Sequence, residues 1–298
     1  MRFSIIIPTF NRPADLERCL AALRCQKYPR EQFEVIVVDD GGHVDLQPVV
    51  ASFGQQIRLT LLRQTNGGCA SARNKGAEHA SGDWLAFTDD DCAAAPEWLG
   101  AMDSVAARVP DALIGGCVMN GFPNNANSAA SQAISDYFDA HMNRDPERGR
   151  FCSSNNFAIA ASSFQKVGGF DVSFTRAAAE DRDFCDRCLA AGMRIVTAPD
   201  AVVWHYREMS LRGFCQHYFH YGQGAFVLAQ ARARRNAGPV SFEGWSFHLG
   251  LLIAPIRKSL RLRSFYLSLL VIVEQFAYAM GYAYEARAHR DLHTLQSW

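Results

Sequence analysis

The 298-residue sequence has no excess of charge of either sign, because 30 Lys and Arg residues balance 30 Asp and Glu residues. A chain without net positive charge lacks the usual signature of a nucleic-acid or polyanion partner, so we expect no nucleic-acid partner. The balance hides a split along the chain. Residues 1–204 hold 19 basic and 25 acidic side chains, whereas residues 205–298 hold 11 and 5. An acidic body is therefore joined to a basic C-terminal region.

The sequence also lacks the cysteine spacing of a disulfide or zinc framework. Its nine cysteines are an odd number, and the CxxC pair of Cys185 and Cys188 has no second Cys or His pair nearby. The apolar run in MRFSIIIPTF is shorter than the hydrophobic region of a secretory signal. We therefore expect reduced thiols and a cytoplasmic protein.

Two glycine-rich phosphate-binding loops are missing as well. No GxGxxG follows the first predicted strand, and no GxxxxGK[ST] occurs anywhere in the chain. These absences argue against a nicotinamide-dependent dehydrogenase and against a P-loop enzyme. If the protein handles a nucleotide, a metal ion has to carry the charge of the diphosphate.

What the sequence does contain is an alternation of apolar strands and helices over its first 120 residues. Continuous apolar strands between helices predict an α/β fold with a mostly parallel sheet that helices flank on both faces. From residue 210 onward the pattern is helical. We expect a catalytic domain over residues 1–209, with halves 1–119 and 120–209, and a helical extension over residues 210–298.

Acidic residues follow two of the predicted strands. Asp39 and Asp40 end one strand, and Asp89, Asp90 and Asp91 end another. Ligands bind at the carboxyl ends of strands in open α/β sheets. Because oxygen ligands suit hard divalent cations, two acidic clusters at equivalent strand ends predict a site for Mn²⁺ or Mg²⁺. Either cluster alone is typical of a solvated acidic turn.

With these residues in place, the chain resembles the family 2 glycosyltransferases of the GT-A (Rossmann-like) fold, which are inverting enzymes that use nucleotide sugars. Six segments carry the resemblance, in the order and spacing of the family, and together they cover about residues 1–206. They are SIIIPTFNRP (4–13), VIVVDDGG (35–42), QTNGGCASARNKGAEHASGDWLAFTDDDC (64–92), SSNNFAIAASSFQKVGGFD (153–171), EDRDFCDRCLAAGMRI (180–195) and VVWHY (202–206).

The resemblance implies a donor site. Asp40 is expected to accept a hydrogen bond from the base, and Asp89 to meet the ribose side. Arg73 is expected to approach the base or the diphosphate, or else to pair with a nearby Asp. The remaining donor-binding residues that the resemblance implies are Pro8, Thr9, Asn11, Gly68 and Asp90. The resemblance favours a UDP-sugar, although no residue excludes guanosine or thymidine.

The resemblance also implies the reacting groups. Asp181 is expected to be the general base, or otherwise a charge that favours the start of a helix. Asp91 is expected to hold the metal, with His205 as a second ligand or a structural residue. Asn155, Asn156 and Glu180 are expected on the acceptor side, although the two asparagines are equally typical of a turn. One base without an enzyme nucleophile predicts inversion at the sugar carbon.

The C-terminal region adds an apolar segment. Residues 264–284 contain a single charge, Glu274, and four basic residues precede them: Arg257, Lys258, Arg261 and Arg263. The length is close to that of a membrane span. However, the polar residues fall on one arc of the helix, which favours peripheral contact of residues 245–288 with a membrane at its cytoplasmic face. A true membrane span, and packing within the chain or in a homodimer, are the alternatives.

The sequence therefore predicts an inverting glycosyltransferase that transfers a sugar from a nucleotide sugar to a glycan or lipid-linked acceptor in cell-surface glycan or polysaccharide synthesis. Two other functions stay open. A metal-dependent nucleotidyltransferase also uses carboxylates at strand ends, but normally has a basic, glycine-rich loop after its first strand. A catalytically silent relative is expected to have lost an acid, whereas all four expected acids are present: Asp40, Asp89, Asp91 and Asp181.

Overall fold

The computed structural model describes residues 1–145, 147–175, 178–239, 244–258 and 262–295. Its strands are β1 (Phe3–Thr9), β2 (Phe33–Asp39), β3 (Leu59–Arg63), β4 (Trp84–Thr88), β5 (Cys92–Ala94), β6 (Leu113–Asn120), β7 (Asn156–Ala160) and β8 (Ile195–His205). Its α-helices are α1 (Pro13–Arg24), α2 (Gln47–Phe53), α3 (Gly68–Glu78), α4 (Trp98–Arg108), α5 (Ala126–Met142), α6 (Ala161–Val167), α7 (Glu180–Ala190), α8 (Leu211–Arg234), α9 (Trp245–Lys258) and α10 (Leu262–Leu295).

The strands form one eight-stranded sheet in the order β3-β2-β1-β4-β7-β6-β8-β5. Strands β3, β2, β1 and β4 are parallel, as are β6 and β8, whereas β7 runs antiparallel between β4 and β6. The α/β class expected from the sequence is confirmed, and the sheet is mixed. Because β1, β2 and β4 are parallel, their carboxyl ends lie at one edge, where the acidic clusters follow them.

The chain divides into two compact units. The first comprises residues 1–121, 142–175 and 181–206 and contains the whole sheet. All seven residues of β1 and of β2 are buried, which explains why both strands are almost continuously apolar. A cluster of phenylalanines packs near the first turns of α7, with Phe170 and Phe184 stacked at a centroid distance of 4.8 Å.

The second unit comprises residues 122–141, 176–180 and 207–298 and is helical where the structure describes its longer segments. Its core joins α5, α8, α9 and α10 through Phe214, Tyr218, Phe247 and Leu270. Helices α8 and α10 touch through their backbones, because a Cβ on Gly222 or on Gly281 would lie 1.9 Å from a carbonyl oxygen of the other helix. Only glycine allows this approach.

The division differs from the expected boundary between residues 209 and 210, because α5 belongs to the helical unit. Ser128 Oγ donates to the Arg207 carbonyl at 2.6 Å, and Asn127 donates to the Met209 carbonyl at 2.9 Å. Tyr218 of α8 donates to Ser131 Oγ at 3.1 Å. These contacts join segments about 80 residues apart in sequence, so local patterns could not reveal them.

Among the described residues, Ser264–His289 within α10 is the one helix whose length and composition would allow it to cross a membrane. A third of its most apolar stretch is buried inside the protein, and a core helix passes the same test. Of the four basic residues before it, Arg261 lies outside the described residues, and so do the side chains of Arg257, Lys258 and Arg263.

Candidate active site

The carboxyl ends of β1, β2 and β4 form the floor of the candidate site. Thr9 of β1 pairs with Asp39 of β2, and the Asp40 amide donates to the Thr9 carbonyl at 3.0 Å. Strand β4 ends at Thr88, directly before the three consecutive aspartates 89–91. The parallel register therefore brings both acidic clusters to one edge of the sheet, as the sequence predicts.

Each aspartate of the 89–91 cluster lies beside an arginine. Arg73 Nη2 donates to Asp89 Oδ1 at 2.8 Å. Arg12 places Nη2 2.6 Å from Asp90 Oδ1, and its Nη1 donates to Asp91 Oδ2 at 2.8 Å. The two guanidinium groups therefore reduce the repulsion among the three carboxylates without a metal ion.

Burial is uneven within this cluster. The side chain of Asp90 is fully buried, whereas that of Arg12 is 44% exposed. Burial raises the pKa of Asp90 to about 7, although the charge of Arg12 lowers it. Burial lowers the pKa of Arg12, but Asp90 and Asp91 outweigh that effect and leave it above its ordinary value. Because no surface of Asp90 is accessible, the expectation that Asp90 contacts the donor directly is corrected.

Arg73 occupies the interior of the first unit. It is 1% exposed, and its guanidinium lies over the Phe170 ring at 5.4 Å from the centroid. The observed ion pair with Asp89 corresponds to the second of the two roles expected for it, while the side chain of Asp89 keeps 26% exposure. Arg73 therefore orients Asp89 in this structure, and Asp89 retains surface for a ligand.

His205 reaches the acidic cluster through strand pairing. It pairs with Cys92 across β8 and β5, and the Tyr206 amide donates to the Asp91 carbonyl at 2.7 Å. These backbone contacts bring His205 Nε2 to 3.3 Å from Asp91 Oδ1. Arg12 donates to Oδ2 of Asp91, and Oδ1 of the same carboxylate lies beside the imidazole nitrogen.

The donor set suits a divalent cation. Ligand atoms of Asp91, Cys92 and His205 lie within 4.8 Å of one another. Burial raises the pKa of the Cys92 thiol well above its ordinary value, and Mn²⁺ prefers oxygen and imidazole ligands to a thiolate. One carboxylate oxygen and one imidazole nitrogen remain, and these fit Mn²⁺ with a substrate completing its coordination.

The carboxylate of Asp40 accepts hydrogen bonds from neighbouring residues of the protein. It accepts from Gln64 Nε2 at 2.7 Å and from the amides of Gly67 and Gly68 at 2.8 and 2.9 Å. Oδ1 takes two of these bonds and Oδ2 takes one, which leaves acceptor capacity on Oδ2. Gly68 adopts φ +85°, where a Cβ would lie 2.6 Å from the Thr175 carbonyl. The contact that we expect between Asp40 and a base stays a prediction.

The other residues after β1 shape the backbone. Pro8 and Thr9 are buried at the end of the strand. Asn11 adopts φ +57°, and its Oδ1 accepts from the amides of His43 and Val44 at 2.8 and 3.2 Å. Asn11 therefore fixes the loop after β2, which is a structural contact that accompanies its expected role in the donor site.

Asn155 and Asn156 differ sharply. Asn156 is 1% exposed; its Nδ2 donates to the carbonyls of Cys117 and Ala201, and its Oδ1 accepts from Trp98. The expectation that Asn156 faces an acceptor is corrected, because its amide is used inside the sheet. Asn155 Oδ1 is buried and no partner reaches it in the described parts of the chain. Thr88 pairs with Asn156, so Asn155 lies beside Asp89 at the site edge.

Asp181 lies in the first turn of α7 and is half-buried, while Glu180 at the start of the helix is buried. Asp181 Oδ1 accepts from the Arg182 amide at 2.8 Å. Two residues further, Asp183 is fully buried and accepts from Arg187 Nε at 2.7 Å. Arg187 Nη1 also donates to the Val167 carbonyl at 3.0 Å, which ties α7 to the end of α6. The catalytic role of Asp181 and the acceptor-side role of Glu180 stay predictions.

Sequence reasoning missed Arg12. The segment Asn11-Arg12-Pro13 is typical of the start of a helix, and α1 begins at Pro13. Arg12 lies three residues after the end of β1, next to the parallel strand β4 whose carboxyl end carries aspartates 89–91.

The chain matches the family model "Glycosyl transferase family 2" over residues 4–168. It is 29% identical over 226 residues to validoxylamine A glucosyltransferase of Streptomyces hygroscopicus subsp. jinggangensis, covering 66% of this chain and 54% of that protein. The chain thus spans about half the length of this curated relative.

Two solved structures share the fold. One is the mannosyltransferase PcManGT from Pyrobaculum calidifontis in complex with GDP-Man and Mn²⁺, with a TM-score of 0.61 and 22% identity over 100% of this chain and 81% of that one. The other is S. aureus TarS 1–349 in complex with UDP-GlcNAc, with a TM-score of 0.59 and 15% identity over 98% and 92%. The GT-A fold that the resemblance implies is confirmed.

Proposed function

The chain belongs to glycosyl transferase family 2, and from that premise we propose that it transfers a sugar from a nucleotide-diphosphate sugar to an acceptor hydroxyl with inversion at the sugar carbon. The observation that carries the proposal is the acidic edge after β4. There Asp89 keeps an accessible carboxylate, and Asp91 and His205 present adjacent ligand atoms.

The donor is held at the ends of β1, β2 and β4. Asp40 retains acceptor capacity for a base, and Asp89 is available to the ribose. We favour a UDP-sugar. The structures with GDP-Man and with UDP-GlcNAc support a nucleotide sugar in general, and both bases belong in the test.

Departure of the nucleoside diphosphate is the step that creates negative charge. A divalent ion, Mn²⁺ or Mg²⁺, supplies charge neutralisation there when it is bound. Asp91 Oδ1 and His205 Nε2 would hold it, because these two atoms are 3.3 Å apart and the second oxygen of Asp91 is occupied by Arg12. The Mn²⁺ in the PcManGT complex supports this choice of cofactor.

The attacking hydroxyl has to lose its proton, and Asp181 is our candidate for the base. Its carboxylate is half-buried, and Arg187 ties α7 to the end of α6 by donating to the Val167 carbonyl. A fixed carboxylate that keeps some exposure can accept a proton from a bound acceptor. With a single base and no covalent intermediate, the displacement occurs once and the configuration at the sugar carbon inverts.

We also propose that the protein works at the cytoplasmic face of a membrane, on a glycan or lipid-linked acceptor. Helix α10 exposes an uncharged stripe of six large side chains, each at least 41% exposed: Phe265, Leu269, Ile272, Phe276, Met280 and Tyr284. The stripe extends over roughly 28 Å. Four basic residues precede it in sequence, which favours an anionic lipid surface.

Packing of α10 favours a helix that lies on the membrane over one that crosses it. The opposite face of α10 contacts α8 through Gly222 and Gly281. Helix α8 exposes polar side chains, among them Arg212, Gln216 and His220. A crossing α10 would carry these groups into lipid, at a cost of about 2.5–3.5 kcal/mol for the arginine alone.

The test of the proposed activity is a panel of UDP-, GDP- and dTDP-sugars incubated with the full-length protein, with and without Mn²⁺. Slow release of nucleoside diphosphate from one donor, abolished by chelator, is the expected result. Consumption of a nucleoside triphosphate and a sugar phosphate instead would identify a nucleotidyltransferase. Binding of a donor without any turnover, even with added acceptors, would identify a binding protein.

A further inference from the structure

Arg12 makes an unusual pair of contacts. Its two terminal nitrogens lie 2.6 Å from Asp90 and 2.8 Å from Asp91, on carboxylates whose side chains are 0% and 9% exposed. The guanidinium itself is 44% exposed. One edge of this group is therefore fixed by two buried acids, while the remainder faces solvent.

The exposed part of Arg12 retains hydrogen-bonding capacity. A guanidinium has five N–H donors; Nη1 donates one of them to Asp91, and Nη2 forms an ion pair with Asp90. A planar group that is held from behind and has donors to spare is well suited to bind phosphate oxygens, because little side-chain entropy remains to be lost on binding.

Resting on the proposed function, we propose that Arg12 binds the diphosphate of the donor nucleotide and that Asp90 and Asp91 position it for that contact. A bound divalent ion adds positive charge beside Arg12 and Arg73, so the loaded site attracts an anion more strongly than the empty one. Loss of Arg12 removes one positive charge from this edge.

The two carboxylate oxygens of Asp91 lie beside different residues. Oδ2 accepts from Arg12, and Oδ1 lies beside His205 Nε2. Loss of Arg12 frees Oδ2 and removes a positive charge from the neighbourhood of the ion. The proposal therefore predicts changes of opposite sign: weaker binding of the diphosphate, but equal or tighter binding of Mn²⁺ alone.

The experiment is calorimetry on the full-length protein with three probes: Mn²⁺ alone, the tighter-binding of UDP and GDP in the presence of Mn²⁺, and the corresponding nucleoside. In Arg12→Gln we expect the nucleoside diphosphate to bind about 10- to 100-fold more weakly, as for loss of a hydrogen bond between charged groups. Affinity for the nucleoside should be unchanged, and affinity for Mn²⁺ alone should not fall. Arg24→Gln at the exposed end of α1, where the arginine donates to Gln56 Oε1, is the control and should alter none of the three.

Unchanged binding of the nucleoside diphosphate by Arg12→Gln would overturn the inference and leave the proposed function standing. Equal losses for the nucleoside, the diphosphate and Mn²⁺ would assign Arg12 a purely structural role and also overturn it. If the wild-type protein binds neither UDP nor GDP, the proposed function fails and the inference fails with it.

Because Arg12→Gln leaves buried Asp90 without its cation, that variant can lose stability, which its melting temperature will reveal. Arg12→Lys then takes its place. It keeps one charge but cannot contact two carboxylates and a phosphate together, so we expect a several-fold loss for the diphosphate and none for the nucleoside. Binding equal to wild type in Arg12→Lys would count against the inference in the same way.

Discussion

The two units of this protein differ in where their charged side chains lie. In the first unit, acidic side chains are concentrated at one sheet edge, and each aspartate of the 89–91 cluster lies beside Arg12 or Arg73. In the second unit, the exposed face of α10 carries no charge from Phe265 to Tyr284, while the acidic Glu274 is buried.

The difference indicates what each unit can bind. Buried and paired charges around a partly accessible edge suit an anionic ligand that arrives with a cation, because the local field is already organised. An exposed, uncharged stripe suits an apolar surface, because its burial removes apolar area from water. If the contrast holds, changes at the acidic edge should impair transfer and metal binding, whereas changes on the exposed face of α10 should impair membrane binding.

If the first unit carries the chemistry, Asp181→Asn should reduce sugar transfer by at least about 100-fold, and up to about 10,000-fold, because it removes the proton acceptor but keeps the size of the side chain. The measurement is initial transfer rate with the donor that the panel identifies. Donor affinity by calorimetry is the control and should change little. A fall in donor affinity as large as the fall in rate would place Asp181 in the donor site.

The second prediction concerns the candidate metal site at Asp91 and His205. Asp91→Asn removes the charge from the carboxylate next to His205, and we expect the apparent affinity for Mn²⁺ to fall about 100-fold, an effect at the upper end of what even outer-shell changes produce. Titration of Mn²⁺ by calorimetry measures it directly. Asp103→Asn, whose carboxylate pairs with Arg2 away from the cluster, is the control. Transfer that persists in excess chelator would contradict a metal-dependent mechanism.

Much of this site could be predicted from the sequence, because parallel strands bring their carboxyl ends together whatever the rest of the fold does. The acidic residues at the carboxyl ends of β2 and β4 therefore lie at one edge of the sheet as expected, and His205 is the last residue of β8. The positions that failed depend on direction and burial. Asn156 lies next to Asn155 in the chain, yet successive residues of a strand point to opposite faces, and its amide is used inside the sheet.

The helical unit was harder to predict for a different reason. Its helices were visible in the sequence, but the inclusion of α5 rests on contacts of Ser128 and Asn127 with residues near 207 and 209. The backbone contact at Gly222 and Gly281 also depends on tertiary packing. Helix patterns give the faces of single helices and do not state which faces meet.

The stripe on α10 predicts binding to anionic vesicles. Phe276→Glu places a charge at the most exposed position of the stripe, and we expect roughly 30-fold weaker binding, since a Phe side chain contributes about 2 kcal/mol on burial. Vesicle co-sedimentation of the full-length protein measures it, and binding should weaken as salt rises. Leu211→Glu, an exposed apolar position at the start of α8, is the control. A protein that ignores vesicles and forms a dimer through α10 would refute the membrane proposal.

Glu274 tests the contrast through protein stability, because it is an acidic side chain that is buried in the second unit. Burial raises its pKa to about 7, although a hydrogen bond from Gln275 lowers it. Nearby, burial and the charge of Glu274 raise the pKa of Tyr218, and Asp139 in the same unit also has a pKa of about 7 through burial and the charge of Asp136.

The sign follows from proton uptake. Between pH 4.5 and 7 the folded protein holds a proton on Glu274 that the unfolded chain has released, so the free energy of unfolding falls as pH rises through this window and levels above it. Glu274→Gln removes this dependence. Its free energy of unfolding, from urea unfolding, should therefore differ little from that of wild type at pH 4.5 and exceed it by about 3 kcal/mol at pH 8. Because Asp139 titrates in both proteins, it cancels in the difference. A difference that stays constant with pH would mean that Glu274 is solvated and that the second unit buries no charge at this position.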